Sequence, residues 1–160
     1  MASVQVMTGQ DVVIAEIDVA APPERVFAAL IDPQQLMQWW GGEGRCKKRL
    51  WKIDARVGGQ WRSESYDPTG NISVNGISDF NVSGEIIEYD PPRQLAYTWV
   101  ANWHSQPGRA TLVRWKLTPA GNGTRVEVTH SGLADEPVAR KDYSGGWGGV
   151  VGYLKQFVEK

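Results

Sequence analysis

Cysteine and histidine are scarce in this sequence of 160 residues, which contains one cysteine, Cys46, and two histidines, His104 and His130. A single cysteine excludes an internal disulfide and is typical of proteins from a reducing compartment. The sequence also lacks a cysteine pair and a His-Glu-x-x-His motif, so it predicts no metal site. Because Gly-Lys and Gly-x-Ser-x-Gly are absent as well, we expect no phosphate-binding loop, no serine nucleophile and no cofactor.

An excess of charge of one sign is also missing. The 17 basic and 18 acidic residues leave a net charge of −1, which provides no broad positive field for a phosphate backbone. No window approaches about 18 consecutive apolar residues, and the first ten residues have neither a basic start nor an apolar run. We therefore expect a soluble, cytoplasmic protein that neither binds nucleic acid nor inserts into a membrane, with a flexible N-terminus over residues 1–10.

Tryptophan, by contrast, is abundant, with eight copies in the chain. Indole rings are large, stiff and partly polar, so this surplus indicates either a bulky core or a cavity with aromatic walls. Trp39 and Trp40 are adjacent at the end of a predicted short helix, where neighbouring positions point about 100° apart. We therefore expect Trp39 to pack into the core and Trp40 to border the entrance of a cavity.

The order of secondary structure begins with one strand and two short helices. Residues 12–19 are rich in β-branched side chains, which favours a strand. Pro22-Pro23-Glu24 predicts a helix start, and Asp32-Pro33 ends this helix and caps the next. After residue 49 an alternation with period two predicts further strands over 50–54, 59–66, 72–89, 94–103, 110–118 and 124–131.

The end of the chain, YSGGWGGVVGYLKQFVEK from residue 143, predicts a long closing helix. Its apolar residues recur at helical spacing and form a stripe wide enough to cover a sheet: Trp147, Val150, Val151, Leu154, Phe157 and Val158. The five glycines of this segment each oppose helix formation by about 1 kcal/mol relative to alanine. Packing of the stripe must therefore compensate for them.

Five motifs follow one another over residues 20–159: APPERVFAALIDPQQLMQWWGG, DARVGGQW, GEIIEYDPPRQLAYTW, GNGTRVEVTHSGL and GWGGVVGYLKQFVE. Together they resemble the family named for the activator of heat-shock-protein-90 ATPase, in its short bacterial form, within the START-like (SRPBCC, birch-pollen-allergen-like) helix-grip superfamily. The resemblance implies an α+β fold in which a curved antiparallel sheet of about six or seven strands wraps around the C-terminal helix, with two short helices after the first strand. It also implies a single domain over residues 1–160, with a hydrophobic cavity between sheet and helix.

In this superfamily the cavity holds lipids, polyketides or other apolar molecules, so the resemblance implies small-molecule binding. The eukaryotic co-chaperone that gives the family its name has an additional N-terminal domain, whereas this chain has only 11 residues before its first predicted strand. We therefore expect a ligand-binding scaffold rather than a regulator of a chaperone ATPase.

Alternation in the predicted strands and the apolar stripe of the helix place one set of side chains inside this cavity. We expect the ligand to contact Trp40, Trp61, Tyr97, Trp99, Trp103, Trp115, Val128, His130, Trp147 and Val151. Because a tryptophan stripe is more often packing than a ligand site, about half of the tryptophans are expected to serve the core alone.

Three residues are candidates for catalysis: His130, Glu64 and Asp79. His130 faces inward at the end of the last predicted strand, where a histidine within reach of a ligand can transfer a proton. The alternative is a structural histidine whose ring nitrogens both have local partners. Glu64 and Asp79 lie in predicted strands and face either the cavity or solvent, and unpaired carboxylates are rarely buried.

Three functions from different classes are compatible with these patterns. The first is binding of a small apolar molecule, lipid-like or aromatic, without catalysis. The second is a cyclase or dehydratase that acts on a polyketide-like substrate through His130 or an inward carboxylate. The third is an interaction module that regulates a protein partner through its surface, for example through the basic segment RCKKRLWK at 45–52. Whether the protein forms a homodimer is left open.

Overall fold

The computed structural model describes residues 4–41 and 46–160. Within these residues the chain forms eight strands and three helices. In chain order they are β1 (Gln5–Thr8), β2 (Val12–Val19), α1 (Pro23–Ile31), α2 (Pro33–Trp39), β3 (Lys47–Ile53), β4 (Gln60–Tyr66), β5 (Asp79–Asp90), β6 (Gln94–Ala101), β7 (Thr111–Ala120), β8 (Gly123–Ser131) and α3 (Pro137–Val158).

The strands form one antiparallel sheet in the order β1-β2-β8-β7-β6-β5-β4-β3. Apart from the placement of β1 and β2 beside β8, consecutive strands are neighbours, as in a meander. Helix α3 lies across the sheet, and α1 and α2 connect β2 to β3. The predicted α+β helix-grip architecture is confirmed, with eight strands in place of the expected six or seven.

The additional strand is β1, which lies within the segment expected to be a flexible terminus. Gln5 pairs with Glu16 and Thr8 pairs with Val13, so β1 extends the sheet beyond β2. Its Val6 side chain lies against α3, where a Cβ added to Gly148 would be 3.3 Å from Val6 Cγ2. The expectation of flexibility over residues 1–10 therefore does not hold for Gln5–Thr8, because β2 offers an edge with which this short segment pairs.

The two short helices follow the predicted boundary at Asp32-Pro33. The Asp32 carboxylate accepts a hydrogen bond of 3.0 Å from the backbone N–H of Gln34, which caps the start of α2. Trp39 is buried and its indole N–H donates to the carbonyl of Ala29 at 2.9 Å, which joins α2 to α1. None of the helices in the described ranges combines the length and apolarity needed to cross a bilayer.

Helix α3 begins at Pro137, earlier than the predicted start at residue 143. Proline is favoured in the first turn of a helix, where its missing N–H leaves no hydrogen bond unmade. The preceding residue, Glu136, is buried, and its carboxylate accepts hydrogen bonds from the backbone N–H groups of Ser105 and Gln106. The start of α3 is therefore fixed to the loop that follows β6.

Most of the basic segment at 45–52, which was considered as a surface for a protein partner, forms the edge strand β3. Arg45 lies outside the described residues. Lys48 donates to the carbonyl of Trp40 at 2.7 Å, and Arg49 bonds to Asp79 at 2.8 Å. The strand predicted over 50–54 therefore begins earlier, at Lys47, and ends at Ile53. Two of its basic side chains support the fold.

Candidate functional site

A cavity of about 270 Å³ lies between strands β3 to β6 and helix α3. Seven of its 16 lining residues are aromatic, so ring surfaces make up much of the wall: Trp40, Trp51, Phe80, Trp99, Trp103, Tyr143 and Trp147. Ser63 and Ser65 of β4 add two hydroxyl groups. A largely apolar wall with few polar groups is typical of small-molecule sites.

Among the described residues of the cavity lining, the exposed ones lie on α3. Asp142, Gly146 and Val150 are spaced four residues apart, and so lie in one row along α3. Asp142 and Gly146 are exposed, and Val150, Trp40 and Cys46 are half-buried. These five lining residues form the rim.

Gly146 leaves the rim open. A Cβ added at this position would meet no atom of the described residues within 4 Å, so a larger side chain would project toward the entrance. Glycine inside a helix costs about 1 kcal/mol relative to alanine. The chain carries this cost at a position where a side chain would narrow the opening.

Tyr143 is the centre of the polar contacts in the cavity wall. The indole N–H of Trp99 donates to its hydroxyl oxygen at 2.9 Å, and His104 Nε2 lies 2.8 Å from the same oxygen. The indole N–H of Trp103 approaches this oxygen without the geometry of a hydrogen bond. Burial raises the pKa of Tyr143 well above its ordinary value, against the opposing effect of these indole groups, so the side chain is a neutral phenol.

His104 supports Tyr143 from behind the wall. Its ring is buried, and within the described residues its Nδ1 atom has no hydrogen-bond partner. Burial lowers the pKa of His104, and this effect outweighs the opposing attraction of Glu136. The imidazole is therefore neutral near pH 7, and its loop is fixed by the hydrogen bonds from Ser105 and Gln106 to Glu136.

Two further indole groups of the wall are without acceptors. Trp51 and Trp103 are only 6% and 7% exposed, and neither Nε1 atom has a hydrogen-bond partner among the described residues. Buried indole N–H groups usually find an acceptor, since leaving one unpaired costs free energy. The wall therefore has unused donor capacity.

Behind the cavity, side chains from β6 to β8 and from α3 are buried in one hydrophobic core. We call this part the filled region and define it by Tyr97, Trp115, Val128 and Val151, which are all buried and do not line the cavity. The indole N–H of Trp115 donates to the Tyr97 hydroxyl at 2.9 Å. Alternation correctly placed these side chains inside, but none of them lines the cavity.

Trp61 also lies outside the cavity lining. It stacks on Trp51 with ring centroids 5.6 Å apart, and its indole N–H donates to the carbonyl of Thr98 at 2.9 Å. Gly84 makes this contact feasible, because a Cβ there would lie 1.8 Å from the Thr98 oxygen. Trp61 therefore supports the wall from behind.

His130 is fully buried and does not line the cavity. Trp147 Nε1 donates to its Nδ1 at 3.1 Å, which assigns the proton to Nε2, and Nε2 donates to Thr111 Oγ1 at 2.7 Å. Thr111 in turn donates to the carbonyl of Trp99 at 3.0 Å. Burial lowers the pKa of His130 well below its ordinary value. The geometry favours the structural alternative for this histidine, because both nitrogens are occupied within the core.

Glu64 and Asp79, the other two catalytic candidates, do not line the cavity. They alternate with Ser63, Ser65 and Phe80, whose side chains do line it, so the pleat directs both carboxylates to the opposite face of the sheet. Glu64 Oε2 lies 3.6 Å from Arg62 Nε, and Asp79 Oδ1 lies 2.8 Å from Arg49 Nη1. Neither carboxylate is positioned to act on a ligand in this cavity.

Of the expected ligand contacts, the structure brings Trp40, Trp99, Trp103 and Trp147 together in the wall. Whether they bind a ligand stays a prediction. Sequence reasoning missed Trp51 and Tyr143, although Tyr143 lies one helical turn before Trp147 and could have been found by extending the closing helix toward its N-terminus.

Two ionisable rim residues were also missed. Partial burial raises the pKa of Asp142, and burial together with the nearby carboxylates of Asp67 and Asp142 raises the pKa of the Cys46 thiol. The thiol is therefore protonated near neutral pH, which makes it a poor nucleophile. Within residues 4–41 and 46–160 no group of histidine, cysteine and carboxylate side chains has the arrangement of a metal site.

Solved structures with the same fold cover nearly the whole chain. A protein from Rhodobacter sphaeroides is 21% identical, with a TM-score of 0.78 over 98% of this chain and 97% of its own. Ms6760 from Mycobacterium smegmatis is 17% identical, with a TM-score of 0.76 over 99% and 95% of the two chains. CalU16 from Micromonospora echinospora is 22% identical, with a TM-score of 0.65 over 99% and 85%.

These identities are low, so the likeness establishes the fold and leaves the ligand open. Among curated proteins, none matches this sequence. The family model described as "Activator of Hsp90 ATPase homolog 1-like protein" matches residues 20–159, which include every described helix and strand except β1 and β2. The chain therefore belongs to the family of Activator of Hsp90 ATPase homolog 1-like proteins.

Proposed function

We propose that this protein binds a small, flat, largely apolar molecule in the cavity between the sheet and α3. The observation that carries this proposal is the open volume of about 270 Å³ with seven aromatic side chains in its wall. This volume is close to the lower end of the range of about 300–1,000 Å³ for ligand pockets. It fits a molecule of two or three fused rings.

The energetics of packing support a binding role. An unfilled apolar space forfeits the dispersion contacts that a packed core would make, and residual cavities destabilise proteins in proportion to their volume. Here the empty space adjoins a filled region built from the same residue types, so the chain has the side chains needed for close packing. A flat ligand would restore the missing contacts and stabilise the folded state.

Binding of fluorene, a planar hydrocarbon of three fused rings, tests the proposal. We expect calorimetry or quenching of tryptophan fluorescence to show saturable binding to the unaltered protein. Gly146→Leu should weaken this binding tenfold or more, because the new side chain enters the opening. Gly145→Leu is the matched control, since a side chain at this neighbouring exposed glycine also meets open space but does not line the cavity.

Both variants remove a helical glycine, so their effects on helix stability are comparable. Equal binding to the Gly146→Leu and Gly145→Leu variants would contradict the proposed site. If fluorene does not bind the unaltered protein, and native mass spectrometry of the purified protein shows no bound small molecule, the proposal is overturned.

A cyclase or dehydratase acting on a polyketide-like substrate is the second candidate. The observation that favours it is the Tyr143 hydroxyl, which belongs to a cavity-lining side chain and is hydrogen-bonded to His104. A positioned phenol can supply a proton to a reacting oxygen. Turnover of a polyketide mimic by the unaltered protein, with binding kept and turnover lost in Tyr143→Phe, would favour this function over simple binding.

A further inference from the structure

We propose that the Tyr143 hydroxyl is the hydrogen-bond donor that selects the ligand, so that the cavity prefers flat molecules with an uncharged carbonyl oxygen over plain hydrocarbons. This inference rests on the proposed function, because it concerns the same cavity. It assigns to Tyr143 a role in specificity and defines the chemical class of the ligand.

The first step is the position of Tyr143. Its side chain is 5% exposed and lines the cavity from α3, on the same helix face as Trp147. The hydroxyl oxygen receives the indole N–H of Trp99 at 2.9 Å, and indole nitrogen can only donate. One lone pair of the phenol oxygen is therefore occupied from within the protein.

The second step is the tautomer of His104. Each tautomer leaves one donor without a partner among the described groups. With the proton on Nδ1 it is the buried Nδ1–H, and with the proton on Nε2 it is the O–H of Tyr143, whose side chain lines the cavity. A donor at the cavity can be satisfied by a ligand or solvent, whereas the buried Nδ1–H has no such access, so the Nε2–H form is favoured. His104 then donates to Tyr143 across the distance of 2.8 Å.

The third step follows for the phenol hydrogen. With Trp99 and His104 both donating to its oxygen, Tyr143 must donate its own hydrogen elsewhere. Its hydroxyl has no other hydrogen-bond acceptor among the described side chains and backbone groups. The cavity that the side chain lines is then the place where an acceptor can come from, and a ligand oxygen would complete the hydrogen bonding of the phenol.

The fourth step concerns the charge of that oxygen. Among the described residues, the lining contains no lysine or arginine, and Asp142 at the rim is the one carboxylate. A ligand carboxylate would enter an apolar wall without a counter-ion and beside a like charge, which is unfavourable. A ketone or quinone carbonyl accepts a hydrogen bond without this cost.

Fluorene and 9-fluorenone form the matched pair of probes, since they share the three-ring skeleton and only the second has a carbonyl oxygen. We expect Tyr143→Phe to weaken the binding of fluorenone relative to that of fluorene. The ratio of the two dissociation constants should change by about three- to tenfold, the loss expected for one hydrogen bond. Tyr153→Phe is the control, because Tyr153 is a half-buried tyrosine of α3 outside the cavity and should leave the ratio unchanged.

The two proposals fail in different ways. If neither probe binds the unaltered protein and native mass spectrometry shows no bound small molecule, the proposed function is wrong. If both probes bind but the ratio is the same in the unaltered protein and in Tyr143→Phe, the binding function stands and the role of Tyr143 is overturned. Fluorene binding to Tyr143→Phe also reports whether the cavity of this variant is intact.

An infrared measurement reports the hydrogen bond to the ligand directly. A hydrogen bond from Tyr143 should move the carbonyl stretching band of bound fluorenone to lower frequency than in hexane, and Tyr143→Phe should return it toward the hexane frequency, which distinguishes the phenol from the unpaired indole N–H groups of Trp51 and Trp103. His104→Phe should reduce this shift if His104 positions the phenol, whereas Tyr153→Phe should not. A band at the hexane frequency in the unaltered protein would overturn the inference.

Discussion

The filled region and the cavity wall contain the same kinds of side chain, yet they differ in how their polar atoms are paired. In the filled region the indole of Trp115 bonds to Tyr97. In the cavity wall the indole nitrogens of Trp51 and Trp103 have no acceptor among the described residues. The difference shows that the number of tryptophans does not reveal a binding site, whereas the pairing of their N–H groups helps to separate core from wall.

Trp99 and Trp147 lie at the boundary between the two regions. Both line the cavity, but their indole nitrogens bond to Tyr143 and His130, which are buried. Each of the two rings therefore lines the cavity with one face, while its indole nitrogen donates a hydrogen bond to a buried residue. These two hydrogen bonds attach the wall to the packed interior.

The largest expected effect comes from comparing Trp115→Ala with Trp40→Ala. Trp115 is fully buried in the filled region, so its truncation should lower the free energy of unfolding by about 3–5 kcal/mol. Trp40 is half-buried at the rim, and its truncation should lower stability by about half as much while changing fluorene binding. Denaturant unfolding and calorimetric titration measure both quantities.

The distinction between the filled region and the cavity wall would be lost if the two variants did not differ in stability and in fluorene binding as expected. A Trp40→Ala variant that loses as much stability as Trp115→Ala, with unaltered uptake of fluorene, would show that the rim tryptophan is ordinary core.

A smaller effect is expected from lowering the pH. Burial depresses the pKa of His130 in the folded state from 6.5, so below about pH 6.5 the unfolded chain binds more protons than the folded one. Stability is therefore fully present above this pH and is lost as the pH falls toward the folded-state pKa, by up to about 1.4 kcal/mol per pH unit. Urea unfolding between pH 7.5 and about 5 measures the slope.

His130→Gln is the matched variant, because the amide can accept from Trp147 and donate to Thr111 without titrating. Below pH 6.5, the free energy of unfolding of this variant should fall less steeply with decreasing pH than that of the unaltered protein. His104 contributes in the same direction, since burial also lowers its pKa. Identical slopes for the two proteins would show that the buried ring of His130 does not stay neutral.

The smallest effect concerns two glycines of α3. Gly146→Ala should raise stability by about 1 kcal/mol, because the new Cβ meets no atom within 4 Å. Gly148→Ala should gain less, since its Cβ would lie 3.3 Å from Val6 of β1 and that strand must move. Thermal unfolding of the two variants checks the difference, and an equal gain would mean that β1 does not press on the helix.

Much of the fold could be predicted because alternation with period two is a strong signal in long strands, as in β7 and β8. The boundary at Asp32-Pro33 was also readable, since proline and a capping carboxylate mark it directly. Strand β1 was missed because four residues without alternation do not differ from a loop. The start of α3 was missed although Pro137 gave a local signal.

The candidate site was harder to predict for a physical reason. Alternation indicates that Tyr97 and Trp99 both point inward, but it does not show what lies opposite each ring, so one is core and the other is wall. The contact between His104 and Tyr143 joins positions far apart in the chain and depends on how Glu136 fixes the loop after β6. The strand position of His130 predicted that its side chain faces inward. It could not predict that Trp147 and Thr111 are its hydrogen-bond partners, because these residues come close to it only in the folded structure.

The separation of the two regions along the sheet has a consequence for how such a protein can diverge. Strands β7 and β8 carry the filled region, whereas β3, β4 and β5 contribute Trp51, Ser63, Ser65, Phe80 and Val82 to the cavity wall. Those strands are joined by backbone hydrogen bonds, which can form with any side chain except proline at these five wall positions. Descendants of one ancestor can therefore exchange wall residues, and with them the molecule they recognise, without unsettling the part that keeps the chain folded.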